Sequence, residues 1–158
     1  MSLTPIDTAL EQLVPLLPLI TEMERVLLEQ ATGRVLADDC VSPIDVPPHR
    51  NSAMDGYALK STDLGSENIQ LKITQRIAAG EVGQQLNSGE AARIFTGAPV
   101  PEGADAVVMQ ENCKASGDVL CVLQQHVKPG ENLREAGDDI QAGALILAKG
   151  HRLKPQDI

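Results

Sequence analysis

Residues 91–109 read AARIFTGAPVPEGADAVVM. Two short apolar runs, 91–95 and Ala106–Met109, bracket a loop rich in Gly and Pro. Runs this short, punctuated this closely, read as strands joined by tight turns. The pattern extends outward. Leu71 and Ile73 alternate with Lys72 and Thr74, and residues 119–123 form another strand candidate after a Ser116-Gly117-Asp118 turn. The whole of 70–127 is therefore expected to be β.

Upstream, Thr4-Pro5-Ile6-Asp7 carries the marks of a helix start. Thr4 can cap, Pro5 suits the first turn, and Asp7 faces the positive end of the helix dipole. Ile6, Leu10, Leu13 and Val14 fall on one helical stripe, which Pro15 and Pro18 stop. A second helix is expected over 21–32, with capping-box spacing between Thr21 and Glu24 and Gly33 as its stop. Residues 35–41 read as a strand interrupted by Asp38 and Asp39. Residues 42–50 hold Pro43, Pro47 and Pro48 and mark a crossing between domains. Further on, 144–148 and 151–153 flank Lys149-Gly150, a predicted hairpin that returns the chain to the first domain. Lys154-Pro155-Gln156-Asp157-Ile158 opens like another helix. So short a segment has no apolar face to bury, and the natural chain is expected to continue.

Composition narrows the function classes. Of 158 residues, 42% are hydrophobic but only 1% aromatic, with one Phe, one Tyr and no Trp. The core must come from Val, Ile, Leu and Ala. Base stacking is not available, and the formal charge of −9 repels a phosphate backbone, so no nucleic-acid partner is expected. An acidic protein can still hold an anion through a cation bridge, backbone N–H groups or arginines. Cys40, Cys113 and Cys121 form no CxxC pair and have no His at ligand spacing, which is not a zinc pattern. The start MSLTPIDTALEQLV lacks a basic, then apolar, leader. No run reaches the length of a membrane span. A cytoplasmic protein, away from membranes, is expected.

Three segments carry groups with chemistry. The first, NSAMDGYA at 51–58, sets Asp55 on a turn before Gly56, where a carboxylate can reach a hard cation such as Mg²⁺. Asp55 fits equally an Asx cap on local N–H groups. The second, FTGAPVPEGAD at 95–105, ends a strand at Thr96-Gly97, where a hydroxyl and free N–H groups can hold an oxyanion. A plain inter-strand turn accounts for it as well. The third, REAGDDI at 134–140, puts Asp138 and Asp139 near Arg134. Neighbours in an extended segment face opposite ways, so only one of the two acids can reach a given site. A solvated acidic loop is the alternative. His49, His126 and His151 sit apart and read as surface residues.

Together these blocks resemble one family, the molybdopterin molybdenumtransferases of molybdenum cofactor synthesis, to which the E domain of gephyrin also belongs. NSAMDGYA matches the family's most recognisable block residue for residue. RIFTGAPVPEGADAVV at 93–108 looks like its second block. Asn132-Leu133-Arg134 with Gly137-Asp138-Asp139-Ile140 looks like its third. GRVLADD at 33–39 followed by SPIDVP at 42–47 is a weaker match to the family's crossing into its second domain. There are departures. The family often has an aromatic-acidic pair where His49-Arg50 stands, more Arg where Glu135-Ala136 stands, and Glu in place of Asp138.

The resemblance implies transfer of molybdate onto adenylylated molybdopterin, with release of AMP and help from Mg²⁺. On matching positions it implies Asp55, Thr96 and Asp139 as catalytic residues, Asp55 and Asp139 as metal ligands, and Ser52, Gly97 and Arg134 as substrate-binding. It implies a homodimer whose site forms between subunits, and the molybdopterin adenylyltransferase as a candidate partner. The expected fold is mainly β with short N-terminal α-helices (α+β), in two small domains. Residues 1–45 with 139–158 would form an elongated first domain of dimerisation or linker type. Residues 46–138 would be an inserted compact β domain carrying the site residues. The family's catalytic α/β domain and C-terminal β domain are absent, so this piece alone is expected to be inactive. The other reading is a non-catalytic, protein-binding scaffold module of gephyrin type. The intact mass of the native protein separates these outcomes: the transferase reading expects a value far above 16.8 kDa, whereas a stand-alone β domain would give that mass.

Overall fold

Strand β3 (Gly56–Leu59) organises the larger part of the molecule, because it pairs antiparallel on both edges. The structure is a computed structural model and describes residues 4–65, 69–124 and 126–158. The fold is mainly β with one short α-helix, α1 (Ile6–Leu13). Before β3 come β1 (Cys40–Val41) and β2 (Asn51–Ser52). After it come β4 (Gln70–Ile77), β5 (Glu90–Ile94), β6 (Ala106–Met109), β7 (Cys113–Ser116), β8 (Val119–Val122), β9 (Leu133–Arg134) and β10 (Leu145–Leu147). Six of these form one mixed sheet in the order β6-β3-β5-β4-β8-β7, in which only β4 and β5 are parallel. Two small ladders, β1 with β10 and β2 with β9, stand outside it.

Strands β3, β5 and β6 bury residues on both faces, whereas β4 alternates buried and exposed positions. Leu59, Leu71, Ala91, Val108 and Leu120 pack on one face, and Ala58, Ile77, Ala92, Ile94 and Val107 on the other. Successive residues of β3, β5 and β6 thus serve opposite clusters, as strand geometry requires. Strand β4 does this with an irregularity. Its register against β5 slips between Ile73, opposite Ala91, and Gln75, opposite Ala92. The extra residue reverses the phase of the pleat. Leu71 and Ile73 therefore serve the first cluster and Ile77 the second.

The contacts divide the chain into two compact units, Cys40–Leu147 and Met1–Asp39 with Ala148–Ile158. These limits fall outside the sequence-based limits 45/46 and 138/139. The β1–β10 ladder and the Val46–Ile140 bridge tie residues 40–46 to 140–147, so both segments count with the larger unit. Within the smaller unit Val35 bridges Arg152, and Gly33 and Leu36 donate to Leu153 and His151.

Several expectations need correction. Residues 21–32 are not a helix; only Leu28–Gln30 makes a single 3₁₀ turn. Leu19, Ile20, Met23 and Leu27 are exposed, and an isolated helix of that length is marginal without an apolar partner. The strand expected over 35–41 shrinks to the Val35 bridge and β1. The segments 144–148 and 151–153 do not pair with each other. Each pairs with an N-terminal segment, β1 or Val35, leaving Lys149-Gly150 as a turn. The closing helix is one 3₁₀ turn, Pro155–Asp157. Strand β3 was not foreseen, β7 falls within the stretch expected to be β without having been singled out, and residue 125 of that stretch lies outside the described residues.

Gly56 is where this sheet is least tolerant. A Cβ there would sit 2.0 Å from the Val108 carbonyl oxygen on the neighbouring strand. Backbone cannot retreat from such a clash without breaking a ladder. Gly56→Ala is expected to lower the free energy of unfolding by about 3 kcal/mol. Gly117→Ala, at a φ of +60° with open space around it, is expected to cost about 1 kcal/mol. Urea denaturation of the two variants checks the difference, and equal losses would contradict this packing.

Candidate functional site

The β3–β5 register sets the centre of the site. Gly56 lies opposite Ile94 in an antiparallel ladder, so the residue before Gly56 and the residues just after Ile94 meet at one end of the sheet. There Thr96 donates twice to Asp55 Oδ1, from its backbone N–H and from its Oγ1, each at 2.8 Å. Oδ2 of Asp55 receives no hydrogen bond among the described residues. The backbone is pinned as well, since Gln110 N–H donates to the Asp55 carbonyl at 3.1 Å. Both side chains face solvent. The Thr96 backbone bond first, then its hydroxyl, holds the Asp55 carboxyl below the usual carboxylate range. The Arg93 charge adds to this, against some desolvation.

The small ladder gathers all three sequence blocks. Asn51 of β2 lies opposite Arg134 of β9 and also bridges Pro99. Ser52 is buried, and its hydroxyl is spent within its own turn: it donates to the Met54 carbonyl at 2.6 Å and accepts from Met54 N–H at 3.3 Å. Gly97 has a φ of +80° in a turn closed by Ala98 N–H on the Phe95 carbonyl, a conformation that glycine takes without strain. Its N–H donates to the Ser52 carbonyl. The amides of Thr96, Gly97 and Ala98 are thus all engaged. The free N–H groups expected in this loop are not present, because the turn and its neighbours consume them.

The third block resolves into paired charges. Arg134 Nη2 donates to Asp139 Oδ2 at 2.5 Å, while Asp139 N–H donates to the Val46 carbonyl. Asp138 turns the other way and accepts from Glu135 N–H at 2.7 Å. Arg50 Nε reaches both carboxylate oxygens of Glu135, at 2.9 and 2.8 Å. Arg50 and Glu135 are two of the departures from the family pattern noted above. The structure makes them partners. These ion pairs are about half exposed, so each is worth up to about 1 kcal/mol and acts mainly to align the loop. An open cleft of about 530 Å³ lies beside Asp138 and Asp139, lined also by Gln141, Leu145 and Ile146.

The structure therefore joins Asp55 to Thr96 and Arg134 to Asp139, keeps Ser52 inside, and uses Gly97 as a turn former. Among the described residues no three His, Cys, Asp or Glu side chains converge on one point. Sequence reasoning missed Arg93, Arg76 and Gln110. The guanidinium of Arg93 lies 5.3 Å from the Tyr57 ring and 4.4 Å from the Phe95 ring, and that of Arg76 lies 4.4 Å from Phe95. The scarcity of aromatics was the available signal. The chain has one Tyr and one Phe, and each falls inside a recognised block.

Comparison with known proteins gives a consistent answer. The family model described as "MoeA N-terminal region (domain I and II)" matches residues 4–158. A molybdopterin molybdenumtransferase of Haemophilus influenzae is 38% identical over 151 residues, which is 95% of this chain and 37% of that protein. One of Bacillus subtilis is 37% identical over 142 residues, 85% of this chain and 33% of that protein. The crystal structure of the molybdopterin biosynthesis moeA protein from Pyrococcus horikoshii superposes with a TM-score of 0.89 at 38% identity, covering 99% of this chain and 42% of that one. The chain thus spans between a third and about two fifths of these relatives. No helix among the described residues is long and apolar enough to cross a membrane.

A carboxyl that is depressed in the folded state contributes stability above its unfolded value, and that contribution is lost as pH falls through the folded value. Removing one donor narrows this window. In Thr96→Val the Asp55 carboxyl is expected to titrate at higher pH than in the wild type, while the retained backbone bond keeps part of the depression. A ¹³C NMR titration of the Asp55 carboxyl checks this; an unmoved titration would mean that the hydroxyl bond does not form in solution.

Proposed function

The chain belongs to the MoeA N-terminal region family, and from that premise we propose that it is the N-terminal part of a molybdopterin molybdenumtransferase. The full-length enzyme transfers molybdate onto adenylylated molybdopterin and releases AMP. It does so as a cytoplasmic homodimer, in which a further domain of the partner subunit completes the site. Molybdate and the pterin nucleotide are substrates, and the molybdopterin adenylyltransferase is the candidate supplier of the latter.

The observation that carries this reading is the one-sided use of Asp55. Thr96 occupies Oδ1 twice and leaves Oδ2 without a donor among the described residues. An ionised carboxylate held in this way presents one oriented oxygen to solvent. Mg²⁺ commonly takes one or two carboxylates and completes its shell with substrate phosphate and water. Asp55 and Asp139 fit that mode, whereas the described residues offer no cluster of three ligands for a closed protein cage. When bound, such a cation screens the charge that develops on the leaving phosphate.

The division of labour among the residues follows from their hydrogen bonds. A threonine hydroxyl has one proton to donate, and that of Thr96 goes to Asp55. Thr96 therefore orients the carboxylate, rather than donating to a substrate oxyanion in this state. Arg134, exposed and paired with Asp139, supplies a fork suited to an anionic group and fixes where Asp139 points. Ser52 and Gly97 shape the turn that holds Thr96, acting as positioning residues behind the substrate surface.

In the full-length protein, Asp55→Ala is expected to lower molybdate transfer and AMP release by on the order of 100-fold or more, with the circular dichroism spectrum kept and only a small drop in melting temperature from the lost Thr96 bonds. A variant that keeps full activity would falsify the catalytic assignment of Asp55.

A further inference from the structure

Arg93 ties together the three backbone segments that hold the Asp55–Thr96 pair. Its Nη1 donates to the Gly56 carbonyl at 2.8 Å and to the Ile94 carbonyl at 3.2 Å. Gly56 follows Asp55 directly, and Ile94 stands two residues before Thr96. Its Nη2 donates to Gln110 Oε1 at 2.6 Å. Gln110 in turn gives its backbone N–H to the Asp55 carbonyl at 3.1 Å. The guanidinium also lies over the chain's two aromatic rings, Tyr57 and Phe95. No carboxylate pairs with it among the described residues, in a protein of net charge −9. A cation in an acidic protein that spends its donors on backbone carbonyls and one amide is placed for geometry.

We propose that Arg93 is a positioning residue, a clamp that fixes the Asp55 turn against the Thr96 turn, with Gln110 as its third anchor. The inference rests on the reading of Asp55 and Thr96 as site residues. Only a guanidinium fork can serve the two carbonyls and the Gln110 amide together, because its donors are rigidly spread in one plane. A lysine supplies a point charge on a flexible stem. The clamp acts on Asp55 from behind, through main chain, and leaves Oδ2 facing solvent.

The test uses the full-length protein and two readouts, turnover and hydrogen exchange followed by mass spectrometry. Arg93→Met keeps bulk and removes the fork. It is expected to lower kcat by about 10- to 100-fold, the scale for sub-ångström to ångström misplacement of a reacting group, with a much smaller change in KM. Exchange is expected to rise only over residues 55–57, 95–98 and 109–111. Arg93→Lys is expected to restore little of either. Gln110→Leu is expected to loosen the same peptides, while Gln110→Glu, which keeps an acceptor for Nη2, restores them. A wild-type kcat and wild-type exchange in Arg93→Met would overturn the proposal. If that variant loosens the whole chain, Gln110→Leu decides, and unchanged exchange at 55–57 and 95–98 in it would overturn the clamp. Full activity in Asp55→Ala would sink the functional reading instead; the exchange pattern would still report on the clamp.

Discussion

The antiparallel pairing of β3 with β5 is the constraint on which the rest depends. It buries Ala58 and Leu59 on opposite faces and aligns Gly56 with Ile94. That alignment sets the distance between the Asp55 turn and the Thr96 turn. The small residues follow from crowding. β3 is flanked on both edges, and Gly56 lies so close to the Val108 carbonyl that no side chain fits. Alanines at 58, 91 and 92 are fully buried, as are Leu59 and Ile94 on the same two strands. The candidate site is thus attached to a strand pair whose apolar residues are fully buried.

Much of this was legible in the sequence, for physical reasons that differ by element. Strands β5, β6 and β8 were found because short apolar runs stand between Gly and Pro. Strand β3 was missed because Asn51, Ser52, Asp55 and Gly56 dilute the apolar signal just where the chain begins to pair. The helix expected over 21–32 failed because capping-box spacing and a glycine stop describe only local preference, and Met23 and Leu27 stay exposed. At the site, Asp55 and Thr96 were each visible as parts of separate blocks. Their contact was not, since it depends on which residue of β3 faces which residue of β5. Asp138 and Asp139 were expected to diverge, and they do: one caps a turn and the other meets Arg134.

Charge is distributed by a similar economy. Arginines do the work that aromatic bulk does elsewhere, laying flat guanidinium groups over Tyr57 and Phe95. Such contacts join apolar cover to a fixed positive charge. The engaged amides at 96–98 carry a further implication. Those three amides have no proton left to offer an anion.

The irregularity in β4 reaches beyond its local geometry. Before it, odd-numbered positions speak to one core; after it, Ile77 answers to the other. The strand is read in two spatial frames, with the residues around Thr74 as the frameshift. Deleting Thr74 itself would leave a regular ladder, with Ile73, Gln75, Arg76 and Ile77 still opposite Ala91, Ala92, Arg93 and Ile94, so Ile77 would keep its face. Substitutions on the two sides of Thr74 are therefore answerable to different neighbours, and a relative lacking the extra residue could keep the same interior with a straight strand.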